Sequence, residues 1–103
     1  MLRFELINSK EMDKYVGNKH AMIIDIRDKT EFNEMHITDA VNIPIEKLEA
    51  MYDKMPKDFI YVLYCNGGGT GILAAKELFD RGHITRALLG GINAYDGNYI
   101  ESE

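Results

Sequence analysis

The chain of 103 residues predicts one α/β domain, a mostly parallel sheet with helices on both faces. Three observations lead there. Strand-like and helix-like stretches alternate from end to end, as crossovers between parallel strands require. Two strand stretches, Met22–Ile26 and Phe59–Tyr64, are almost continuously apolar, the pattern of strands covered on both sides. The second of these runs through Cys65 and a glycine-rich turn into a stretch of helical spacing.

Taken in order, Arg3–Ile7 reads as a short strand. Asn8 opens a helix with Glu11 three positions on, in capping-box spacing, and Met12, Tyr15 and Val16 form its apolar stripe until Gly17-Asn18 stops it. After the strand at Met22–Ile26, Asp28 and Glu31 repeat the capping spacing and start a short helix through Phe32 and Met35. Ala40–Ile43 is a small strand closed by Pro44. From Glu46, the residues Leu48, Met51, Tyr52 and Met55 fall on one helical face that ends before Pro56. Phe59–Tyr64 follows. The helix from Ile72 to Arg81 buries Ile72, Ala75, Leu78 and Phe79, and Gly82 ends it. Arg86–Leu89 is the last strand, Gly90-Gly91 a turn and Ile92–Tyr95 a final helical turn. Glu101-Ser102-Glu103 are expected to fray.

Composition narrows the function. No repeat, linker or low-complexity segment divides the chain, and residues 1–103 are expected to form a single domain. Seventeen Asp and Glu against twelve Lys and Arg give a formal charge of −5 without a basic run, so neither nucleic acid nor an anionic membrane is an expected partner. No stretch approaches the roughly 20 apolar residues of a membrane span, and no leader-like segment opens the chain. The single cysteine makes no internal disulfide, and a reduced cytoplasmic setting is expected. His20, His36 and His83 are scattered without metal-ligand spacing. Neither metal nor cofactor is expected.

The candidate site is Cys65 with Asn66, Gly67, Gly68, Gly69, Thr70 and Gly71. A strand entering a helix through such a turn aims backbone N–H groups, and the positive end of the helix, at one point. Partial positive charge beside a thiol favours the thiolate. Glycines at 67–69 let the backbone curl tightly and approach an anion. Thr70 either caps the helix or offers its hydroxyl to the bound group. Asp25 and Arg27 lie at a neighbouring strand end, where Arg27 either joins an ion-pair network that includes Glu31 or supplies the cation that the loop lacks.

Several separated pieces resemble the single-domain rhodaneses, a family of sulfurtransferases. They are Ile24-Asp25-Ile26-Arg27; Glu31-Phe32 with His36-Ile37 and Ala40-Val41-Asn42-Ile43-Pro44; Val62-Leu63-Tyr64-Cys65 followed by Gly68; and Leu88-Leu89-Gly90-Gly91-Ile92. The resemblance implies a five-stranded parallel sheet, a persulfide carried on Cys65, and a six-residue active loop, Cys65–Thr70. It also implies a small-molecule or protein sulfur donor and a thiol or cyanide acceptor. The chain departs from the pattern in three places: the loop has no arginine or lysine, Met35 stands where glycine usually precedes His36, and Tyr95 where tryptophan is common. The missing cation predicts weak use of dianionic donors such as thiosulfate. It also keeps a second reading open, a weakly active or non-catalytic rhodanese-like sulfur-sensing or interaction module.

Other chemistries fit less well. The related phosphatases use a Cys-x5-Arg loop, but the arginine position is Gly71, and without the guanidinium nothing clamps a phosphoryl dianion. Gly69–Ala74 fits a dinucleotide fingerprint only by spacing, since no acidic residue follows on a second strand. No Lys-Ser or Lys-Thr follows the glycines, which excludes a phosphate-binding P-loop.

Overall fold

Asn8 starts the first helix as its spacing predicts: its side chain accepts from the Glu11 N–H (2.9 Å), and the Glu11 carboxylate accepts from the Asn8 N–H (3.0 Å). In the computed structural model, which describes residues 2–103, the elements are β1 (Phe4–Ile7), α1 (Ser9–Asp13), β2 (Ala21–Asp25), α2 (Lys29–Glu34), β3 (His36–Ile37) and β4 (Val41–Asn42). They continue as α3 (Ile45–Met51), β5 (Ile60–Tyr64), α4 (Thr70–Asp80), β6 (Ile84–Leu88) and β7 (Ile100–Glu101). Short 3-10 turns follow α3 at Tyr52–Lys54 and β6 at Ile92–Ala94. Asp28 caps α2 by accepting from the Glu31 N–H (2.9 Å).

Five strands form one sheet in the order β1-β6-β5-β2-β4, with every pairing parallel. The apolar runs are explained by what covers them. On one face Ile24, Tyr61 and Leu63 pack with Leu48 of α3 and with Ala74, Ala75 and Leu78 of α4. On the other, Ile23, Val62 and Tyr64 pack with Met12 of α1 and with Ile37 and Ile92. A fully buried Ile or Leu contributes roughly 1.5–3 kcal/mol of transfer free energy, so β2 and β5 carry much of the core. The five-stranded parallel sheet with helices on both faces is the predicted architecture.

Two expectations change. Glu101 belongs to β7, which pairs antiparallel with β3, and the Glu103 N–H donates to the Asn33 carbonyl (2.9 Å), so the chain end is tied down. Strands of two residues have no periodicity to betray them. The long helix runs from Thr70 to Asp80 and buries Gly71, Ala74, Ala75 and Leu78, with Ile72 and Phe79 only partly covered.

Candidate active site

The carboxyl end of the central strand β5 delivers Cys65 to the mouth of the sheet, where parallel sheets bind ligands. Its half-buried Sγ receives the Gly71 N–H at 3.4 Å and lies 3.3 Å from the Gly68 carbonyl. Gly69 is the N-cap of α4. No side chain caps the helix, and no acidic residue occupies its first turn. The free N–H groups and positive end of α4 therefore stay available to a group bound at the sulfur. Thr70 is the first residue of α4 and not its cap.

The loop rests on the turn after β6. The Ile92 N–H donates to the Cys65 carbonyl (3.0 Å) and the Asn93 N–H to the Asn66 carbonyl (2.8 Å). Gly91 makes this approach possible: at φ 59° and ψ −160° it holds a conformation almost confined to glycine, and a Cβ there would lie 2.5 Å from both carbonyl oxygens. At Gly71 a Cβ would come within 3.2 Å of the Cys65 nitrogen. Gly68 and Gly69 differ. Neither has a positive φ, and a Cβ on either would meet nothing within 4 Å. These two leave the mouth open; the close approaches are at Gly91, Gly71 and Gly67, where a Cβ would lie 3.1 Å from Asn93 Nδ2 and 3.2 Å from the Gly90 carbonyl oxygen.

Beside the loop lies a buried polar group. Arg27 grips Asp25 with two prongs, Nε to Oδ1 (3.0 Å) and Nη2 to Oδ2 (2.7 Å), and Nη2 also donates to the Met35 carbonyl (2.6 Å). Burial opposes the Arg27 charge, but the bonds to Asp25 outweigh it, and its pKa lies above the ordinary arginine value. Arg27 Nη1 reaches Asn66 Oδ1 at 3.4 Å, while Asn66 Nδ2 donates to Glu31 Oε2 at 2.7 Å. Glu31 thus bonds the loop and not Arg27. Tyr64, fully buried, accepts from the Ile37 N–H (3.0 Å); burial, with the Asp25 carboxylate nearby, pushes its phenol up and holds it neutral. Asn42 Nδ2 closes the network onto the carbonyls of Asp25 (3.1 Å) and Arg27 (2.9 Å).

Of the predicted loop residues, Cys65 through Gly69 form the turn and Thr70 and Gly71 begin α4, with Arg27 reaching the turn through Asn66 and Asp25 paired to Arg27. Sequence reasoning missed Glu31 as the partner of Asn66, and Gly91 and Asn93 as the support of the loop. Tyr95, in the place of the usual tryptophan, donates to Asp13 (2.6 Å), and burial with that bond pushes its phenol up to about 12.

This chain belongs to the rhodanese-like family: the family model described as Rhodanese-like domain matches residues 8–98. It is 24% identical over 103 residues to the thiosulfate sulfurtransferase GlpE of Coxiella burnetii, covering 99% of this chain and 96% of that protein. A tRNA sulfurtransferase of Desulfurococcus amylolyticus is 31% identical over 87 residues, covering 84% of this chain and 17% of that protein. The chain spans less than a fifth of the length of that relative and of a similar one from Pyrobaculum aerophilum. Among solved structures, a rhodanese-related protein of Thermoplasma volcanium superposes with a TM-score of 0.84 at 24% identity, covering 96% of this chain and 99% of that one. No helix among the described residues is long and apolar enough to cross a membrane.

Proposed function

We propose that the chain is a sulfurtransferase that carries sulfane sulfur as a persulfide on Cys65. The observation that carries this reading is the sulfur itself, held at the end of β5 with the Gly71 N–H at 3.4 Å and an uncapped helix N-terminus behind it. The Cys65 thiolate attacks the outer sulfur of a donor. The donor's sulfur–sulfur bond breaks, and its electron pair leaves on sulfite when the donor is thiosulfate, or on a thiolate when it is a persulfide. An acceptor thiol or cyanide then attacks the outer sulfur of the Cys65 persulfide, and Cys65 leaves as thiolate. Backbone N–H groups of the loop and α4 stabilise the anionic outer sulfur in place of a side-chain cation. Thr70, exposed at the start of α4, offers a hydroxyl to the same sulfur.

Donor and acceptor are small molecules or proteins in a reducing, cytoplasmic setting, in keeping with a single free cysteine. The formal charge of −5 disfavours a polyanionic acceptor. The test is intact mass after treatment with a sulfur donor, with and without cyanide or a thiol. One added sulfur, removed by the acceptor and absent in Cys65→Ser, is the expected result. Sulfur on the serine variant would overturn the mechanism, and sulfur passed to tRNA would overturn the choice of acceptor. The second reading, a sulfur-holding module with little turnover, draws on Arg27 being committed to Asp25. A persulfide that forms but resists every acceptor would favour it.

A further inference from the structure

We propose that Glu31 sets the charge preference of the Cys65 site, discriminating against dianionic sulfur donors relative to monoanionic ones; this rests on the sulfurtransfer reading. Glu31 lies within α2, which Asp28 caps, so its backbone is fixed. The side chain of Asn66, next to Cys65, holds its carboxylate through a 2.7 Å bond. Around the loop the charges add unevenly. Asp25 and Arg27 cancel in a bidentate pair, and Arg27 has a further donor bond committed to the Met35 carbonyl. Among the described residues Glu31 makes no ion pair, and the loop from Cys65 to Gly71 contains no cation to offset it. The three charged groups, Asp25, Arg27 and Glu31, therefore leave one net negative charge beside the loop, held by the neutral Asn66 amide.

The ratio of the effects on dianionic and monoanionic donors is the same at any distance. The Coulomb work of bringing a donor past a fixed charge is proportional to the donor's own charge, so a dianion meets twice the penalty of a monoanion on the same path. Thiosulfate and methanethiosulfonate make this comparison directly. Both present an outer sulfane sulfur to the Cys65 thiolate. In both, the sulfur–sulfur bond breaks and the electron pair leaves with the oxidised sulfur, as sulfite or as methanesulfinate. They differ by one unit of charge.

The experiment measures the second-order rate of sulfur addition to Cys65, by quenched-flow intact mass, for wild type and Glu31→Gln with both donors at low and high salt. Glutamine can still accept from Asn66 Nδ2, so the loop anchor is kept while the charge is removed. Glu31→Gln should accelerate methanethiosulfonate about threefold and thiosulfate about tenfold, the logarithm of the second gain being twice that of the first. Both gains should shrink as salt screens the charge. Glu31→Ala, which also removes the anchor, should show the same donor ratio on a lower absolute rate. Equal changes for the two donors, independent of salt, would overturn the proposal and leave Glu31 as a loop anchor. Failure of both donors to add sulfur to wild-type Cys65 would instead overturn the sulfurtransfer reading beneath it.

Discussion

Asn66 shows how much one side chain decides at the mouth of this site. It touches Arg27 on one side and Glu31 on the other, so an arginine in its place would lie between a repelling cation and a carboxylate that holds it inward. Gly69 has open space and an ordinary φ of −86°. Gly69→Arg should therefore raise the rate with thiosulfate several-fold, about as a charge-assisted bond exceeds a neutral one. Asn66→Arg should gain less, and stopped-flow rates for the two variants decide the order. The glycines separate in the same way. Gly91→Ala forces a Cβ onto the Cys65 and Asn66 carbonyls from a backbone conformation worth about 1–3 kcal/mol of strain. It should lower both Tm and sulfur addition, whereas Gly68→Ala should leave Tm unchanged. A Gly91→Ala protein with wild-type Tm and rate would show that the turn does not support the loop.

The carboxyl end of β2 carries a pair of buried charges, Asp25 and Arg27, and Arg27 Nη1 reaches on to Asn66 beyond β5. Asp25 is wholly buried and Arg27 nearly so. Removing one partner leaves the other charged without compensation, which typically costs about 3–5 kcal/mol. Asp25→Ala should lose about that much in urea unfolding, and the double variant Asp25→Ala, Arg27→Met should recover part of it. A double variant no more stable than Asp25→Ala would mean that the stranded guanidinium is not the source of the loss. The exposed pairs on α4, Lys76 with Asp80 and Arg81 with Glu77, are ordinary i,i+4 contacts worth a few tenths of a kcal/mol.

Across the molecule from Cys65, His83 begins the chain's entry into β6. Its ring is buried, meets the edge of Tyr61 at 5.2 Å, and leaves Nδ1 without a hydrogen-bond partner. Burial, together with Lys57, Arg3 and Arg81 nearby, pushes its pKa below the ordinary 6.5. The unfolded chain then takes up a proton as pH falls through about 6.5 while the folded chain resists it. Stability is therefore lost as pH drops from that value toward the folded pKa, and levels off below it. His83→Phe keeps the ring packing and should flatten this loss, as urea midpoints at about pH 7.5 and about pH 5.5 would show. Sulfur addition at neutral pH should not change. A variant with the wild-type pH slope would place the titration elsewhere.

Much of this architecture was legible because its signals are local. Capping residues act over three positions, as Asn8 with Glu11 and Asp28 with Glu31 do. The apolar runs at Met22–Ile26 and Phe59–Tyr64 announce strands covered on both sides. A cysteine between such a strand and a glycine-rich helix start marks the candidate site by adjacency alone. The electrostatics of that site were not legible. Asn66 bonds Glu31 across 35 positions and Arg27 across 39, and the turn at Gly91 reaches under the loop from another strand. The β3–β7 pair likewise joins segments far apart in the chain. Periodicity reports which face of an element is buried, not which distant group it meets, because that choice is made only when the sheet order brings strand ends together. Whether Arg27 would serve a donor or Asp25 was such a choice, and packing beside Cys65 decided it for Asp25.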